Sequence, residues 1–231
     1  MNIEQNINQF LEGNGKNKGR KPNERYASFD FCYNYFYSFY KNNKLHELAN
    51  DKNIQTSCLH LGFYLASWGM MRGSSFLLEK SISNYKNLII LISQMNPKLW
   101  EIDVDIYNEE NISFLKDCKK KIIKALGEEN SPSDTLITKI MLGVFGNVPA
   151  YDQYFKIFLR NNNISQTFNT RSLMQIKEFY QKHEDIFKSY KIKTFDFLTA
   201  TAKETDIFYT KAKLIDMVGF INGFNKRVYY N

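Results

Sequence analysis

Apolar side chains recur at helical spacing in run after run of this chain, while helix-breaking residues are scarce: 231 residues contain 11 glycines and 4 prolines. A sandwich of many strands needs frequent tight turns, most of them built on those two amino acids. A chain poor in them, with 43% hydrophobic and 16% aromatic residues to fill a core, is expected to be all-α. The pattern predicts about ten helices. They would form one globular multi-helix domain or two helical lobes around a cleft, with any β-structure a minor feature.

Residues 1–25 are expected to form an N-terminal helix and a flexible basic linker, and residues 26–231 the all-α domain. Ile3, Ile7, Phe10 and Leu11 give the first helix an apolar face. "GNGKNKGRKPNER" follows, rich in glycine and without an apolar anchor, in which Lys16, Lys18, Arg20, Lys21 and Arg25 outweigh Glu24 by a net +4. It reads as a solvated loop or a phosphate-contacting arm. In "SFDFCYNYFYSFY" the aromatics alternate as in a strand, yet Asp30, Asn34 and Ser38 recur every four residues as one polar helical stripe. A helix is expected there, with Ser28 as its N-cap. "SFLLEKSISNYKNLIILISQ" predicts one long helix that ends before "MNPK". Leu99–Asn111 suits a short strand or a helical turn, and Ile112–Ala125 is amphipathic. Further helices are expected over Asp134–Leu142, Tyr151–Arg160, Arg171–Lys188 and Thr205–Lys226.

Several function classes lack their motifs. No run reaches the roughly 18 apolar residues of a membrane span, and the amino terminus has no secretory pattern, so a cytoplasmic protein is expected. Cys32, Cys58 and Cys118 are odd in number and far apart, which suits buried thiols in a reducing compartment. No metal is expected: Cys58 and His60 stand two apart and share no helical face, and His46 and His183 are distant. Ser67, Ser74 and Ser75 lie in no nucleophile elbow, and "GNGKNKG" has neither the spacing nor the preceding strand of a phosphate loop. No cofactor is implied. The net charge of +7 permits association with nucleic acid or another polyanion.

"TLITKIMLGVFGNVPAYDQYFKIFLR" carries the strongest chemical candidate. Two apolar helical runs flank a glycine–proline turn, and Asp152 stands just past Pro149. Asp152 could open the second helix, where a carboxylate complements the helix dipole. It could instead face a cleft and stabilise the cationic sugar formed when an N-glycosidic bond breaks. Lys139, thirteen positions earlier, could act as an amine nucleophile if its surroundings lowered its pKa. In "SWGMMRGSSFLLEK", Trp68 could stack on a base, as could aromatics of the Tyr33–Tyr40 region, and Arg72 could clamp a phosphate or satisfy helix-end carbonyls. Arg160 and the Lys16–Arg25 segment are the remaining candidate phosphate contacts.

"TKIMLGVFGNVPAYDQYFKIFLR" also resembles the segment of helix-hairpin-helix DNA glycosylases that runs through a proline to the catalytic aspartate and an apolar helix. The resemblance implies an all-α, two-lobed, basic enzyme that takes an extruded base between its lobes, with Asp152 as the carboxylate and DNA as the partner. "NSPSDTLITK" occupies the place of that family's glycine-containing hairpin. The alternative expectation is a non-enzymatic helical protein that binds nucleic acid or a protein partner, for example in a bacterial defence or regulatory operon.

Overall fold

Helix α6, Asp134–Phe145, is apolar almost all round, and every residue from Leu136 to Phe145 is buried. A helix without a polar face has to be surrounded by others, and the rest of the chain is arranged around this one. The computed structural model describes residues 1–15 and 18–228, with side chains described as far as residue 226. Within them are ten α-helices. Before α6 come α1 (Ile3–Glu12), α2 (Ser28–Lys41), α3 (Ile54–Ser67), α4 (Lys86–Ser93) and α5 (Glu109–Leu126). After it come α7 (Gln153–Asn161), α8 (Thr170–Lys182), α9 (Glu184–Ser189) and α10 (Lys211–Val228). One hydrophobic core runs through them from Ile3 to Ile221. The fold is a single all-α globular domain. Among the described residues no helix is long and apolar enough to cross a membrane.

Local chemistry accounts for most boundaries. Asn2, Asn108, Ser133, Asp152 and Asn169 each accept a backbone N–H at the start of a helix. Gly146, at φ +67°, ends α6 in the left-handed conformation and returns its N–H to Leu142 at 2.9 Å. Three apolar glycine positions permit close packing. A Cβ on Gly143 would strike the Tyr64 ring, and one on Gly219 the Phe155 ring. At Gly223 it would strike the Tyr154 carbonyl, so α10 lies backbone to backbone on α7.

The structure corrects several expectations. The long helix predicted from Ser75 to Gln94 is two 3-10 turns, Phe76–Glu79 and Ile82–Tyr85, ahead of the much shorter α4. Thr205–Lys226 divides into the end of an antiparallel hairpin, β1 (Lys193–Asp196) with β2 (Lys203–Phe208), and then α10. Residues 193–208 alternate buried and exposed positions only weakly, which left the hairpin hidden in the sequence. Arg171–Lys188 breaks at His183 into α8 and α9. Ser28 is the first residue of α2 and its hydroxyl caps nothing. Leu99–Asn111 forms 3-10 turns and the start of α5, with no strand. The three cysteines are free and buried, as expected.

The N-terminal segment is anchored at α1 and at Arg20, while Lys18, Lys21 and Arg25 are exposed as in a solvated loop. Ile3, Ile7 and Phe10 are part of the core, and Arg20 is 8% exposed. The Arg20 guanidinium donates from Nε and Nη2 to Asp30 Oδ2 at 3.0 and 2.6 Å and also to the Lys193 carbonyl. Its flat face lies 4.1 Å from the Phe195 ring centroid. Arg20 therefore joins the segment to α2 and the hairpin, and its place as a phosphate contact is corrected: a guanidinium held by a buried carboxylate has no free edge for a phosphate.

Candidate active site

The turn between α6 and α7 is held at nearly every polar group. Thr210 Oγ1 donates to the Gly146 carbonyl at 2.6 Å, and Asn147 Nδ2 donates to the Leu99 carbonyl at 3.0 Å. The Ala150 N–H donates to Asp216 Oδ1 at 3.0 Å, and the Tyr151 N–H to Thr138 Oγ1 at 2.8 Å. Thr135 Oγ1 closes the loop by donating to the Tyr151 carbonyl at 2.8 Å. Buried backbone groups need such partners, and here they leave Asp152 one position to occupy.

Asp152 does two things at once. Its Oδ1 accepts the N–H groups of Tyr154 and Phe155, both at 3.0 Å, and so caps α7. Its Oδ2 accepts from Lys139 Nζ at 3.0 Å. The pair is mostly withdrawn from water, with side-chain exposures of 4% for Lys139 and 14% for Asp152. A lysine in the middle of an apolar helix is costly unless a counter-charge meets it, and Asp152 is that counter-charge.

The pair opens onto a pocket of about 520 Å³, lined among others by Arg25, Trp68, Arg72, Lys139, Asp152 and Tyr154. Counting its charged lining gives three cations and one carboxylate, so the pocket is positive. Trp68 forms one wall. Tyr26 stacks on it at 5.7 Å and Phe220 meets it edge-on at 5.5 Å. The Arg25 guanidinium lies 5.3 Å and Lys139 Nζ 4.9 Å from its ring centroid.

Of the residues singled out from sequence, the structure brings together Asp152, Lys139, Trp68, Arg72 and Arg25. Arg160 lies exposed in the last turn of α7 and does not line the pocket. Lys18 is exposed and paired with Glu24 at 3.1 Å, and Lys21 is exposed. Lys16 lies outside the described residues. The aromatics of α2 are also elsewhere: Tyr33 is buried against Phe29, Tyr35 stacks on His60, and Tyr40 on Trp100.

Sequence reasoning missed a second buried pair. Lys213 Nζ donates to Asp216 Oδ2 at 2.9 Å, with side-chain exposures of 1% and 9%. The ammonium lies within 5.6 Å of the ring centroids of Phe10, Phe29 and Trp68. Asp216 also anchors Ala150, two residues ahead of Asp152. Two opposite charges three apart inside the apolar run "AKLIDMVGF" were the available signal. Beneath this arrangement burial pushes the Tyr64 hydroxyl well above its ordinary pKa, and the Asp216 and Asp152 carboxylates reinforce the shift.

No protein-family model, curated protein or solved structure matches this chain.

Proposed function

We propose that this pocket hydrolyses an N-glycosidic bond of a nucleotide unit in nucleic acid, with DNA as the first substrate to test. The observation that carries the reading is the buried Lys139–Asp152 pair at a positive pocket with an aromatic wall. Its volume of about 520 Å³ falls among sites that enclose a small ligand. In the reaction the bond between C1′ and the base nitrogen breaks and its electron pair leaves with the base. The oxygen of a water molecule bonds to C1′, and a proton from that water ends on the departing base. Positive charge grows on the sugar meanwhile, and the Asp152 carboxylate, held rigid by two amides and an ammonium, stabilises it. Trp68 offers an aromatic wall to the base, and Arg25 and Arg72 offer charge to flanking phosphates. The three free thiols suit action in the reducing cytoplasm.

Asp152→Asn tests this directly, because the amide oxygen still caps α7 while the negative charge is gone. End-labelled duplexes carrying deaminated, oxidised or alkylated bases are incubated with protein, and abasic sites are read by alkaline cleavage. Wild-type protein is expected to release base, and the variant to bind the duplex but release it at least about a hundredfold more slowly. Equal rates would remove Asp152 from the chemistry. Borohydride trapping of a protein–DNA adduct would instead assign the attack to Lys139.

One observation favours a second reading, a non-enzymatic binding protein. Both Asp152 oxygens are already engaged, so the residue is complete as a helix cap. On that reading the wild-type chain binds nucleic acid or a protein partner and releases no base from any of these duplexes.

A further inference from the structure

Helix α5 carries Lys116, Lys120 and Lys124 four residues apart, all three exposed. At 1.5 Å and about 100° per residue they form a row about 12 Å long that winds about 80° around the helix. Two of the neighbouring carboxylates are committed elsewhere: Asp117 pairs with Lys121 at 2.8 Å, and Asp134 with Lys119 at 2.6 Å. Like charges at this spacing repel along a helix, and of the three only Lys124, in the last turn of α5, gains from the helix dipole. It ends at Glu128 and Glu129.

The stripe adjoins the proposed site. Lys116 and Lys120 flank Lys119, and Lys119 is the residue that reaches across to Asp134 at the start of α6. The next residue, Thr135, lines the pocket. A second hollow of about 360 Å³ is lined by Arg72, Ser75 and Ser133 among others. Arg72 borders both hollows. Arg25 and Arg72 thus stand at the pocket, and the Lys119–Asp134 pair joins α5 to the start of α6 beside it.

We propose that the Lys116–Lys120–Lys124 stripe of α5 is a docking surface for the phosphate backbone of a nucleic-acid duplex whose target nucleotide enters the pocket. The proposal rests on the nucleic-acid part of the function proposed above, and not on the bond-breaking step. Measured along a duplex axis, twelve ångströms spans about three to four base-pair steps at roughly 3.4 Å of rise each. An acidic protein surface is the poorer fit. Protein interfaces centre on aromatic or aliphatic anchors, and the exposed residues interleaved with these lysines, Ser113, Asp117 and Lys121, supply none.

The test compares the full chain with the triple variant Lys116→Gln/Lys120→Gln/Lys124→Gln. Fluorescence anisotropy follows binding to two unrelated unmodified DNA duplexes across a salt series. The variant is expected to bind at least tenfold more weakly at low salt, equally on both sequences. Its plot of log affinity against log salt should be shallower by about 3, one unit for each lost phosphate contact. A control triple variant, Lys41→Gln/Lys52→Gln/Lys80→Gln, removes the same charge from exposed lysines on other elements and is expected to keep the wild-type slope. An unchanged slope in the α5 variant, or an equal loss in the control, overturns the stripe and leaves the pocket reading standing. A wild-type chain that binds neither duplex overturns both.

Discussion

Lys139 Nζ stands 3.0 Å from Asp152 Oδ2, and this contact ties the middle of α6 to the cap of α7 across a turn whose backbone is already hydrogen-bonded. The carboxylate is thereby shared between a structural and a chemical demand, and the two can be separated by substitution.

Removing the charge of Asp152 strands a buried ammonium. Asp152→Asn is expected to cost about 3 kcal/mol in urea denaturation, and Asp152→Ala about 1 kcal/mol more because the α7 cap is lost as well. Lys139→Met combined with Asp152→Asn should recover most of the loss, since the two residues are in contact and their effects do not add. A single Asp152→Asn variant as stable as wild type would show that water, and not Asp152, satisfies Lys139.

Arg20 and Arg72 should separate cleanly. Arg20→Met leaves the Asp30 carboxylate buried without its guanidinium and is expected to cost about 3–5 kcal/mol. The salt dependence of DNA binding should be unchanged, because the Arg20 guanidinium is buried and held by Asp30. Arg72→Gln is expected to do the reverse, with little change in stability and a salt slope shallower by about 1. A shallower slope in a folded Arg20→Met protein would contradict the placement of Arg20.

Gly223→Ala tests the α7–α10 contact. Alanine favours a helix over glycine by about 1 kcal/mol, yet its Cβ would meet the Tyr154 carbonyl. The expected net result is a loss of about 1–3 kcal/mol by equilibrium denaturation. A stabilised variant would mean that the two helices part without cost.

His60 gives the fold a pH dependence. Its ring stacks on Tyr35 at 4.0 Å, and burial holds its pKa below the ordinary 6.5, against an opposing backbone hydrogen bond with Phe31. The unfolded chain therefore takes up the proton first as pH falls. Stability from this residue is present above pH 6.5 and is lost as pH drops through that value toward the lower folded pKa. Denaturation midpoints at pH 7 and pH 5 should differ more in wild type than in His60→Gln. Identical differences in the two proteins would remove His60 as the cause.

The helical class and the joint around Asp152 were legible in the chain because both are written locally. Apolar period, the Gly146 stop, Pro149 and an aspartate at the head of "QYFKIFLR" act over a few residues, and short-range sterics and capping decide them. The break of the Ser75–Gln94 run into 3-10 turns was not legible, since Phe76 and Leu77 satisfy a helical period equally well and packing against the rest of the core decides between the two. The hairpin is a similar case. Asp30 accepts the Phe195 N–H from α2 at 2.9 Å, a partner 165 residues away that no local pattern announces.

Charge partners followed the same division. The sequence by itself determined that Lys139 lies within one apolar helical run and Lys213 within another. Only the tertiary structure decided that Asp152 and Asp216 supply their counter-charges, that Arg20 is spent on Asp30, and that Arg25, Trp68 and Arg72 meet at one pocket. The reason is physical: helical periodicity is a property of neighbouring residues, whereas the pairing of buried charges depends on which surfaces the collapsed core brings within a few ångströms.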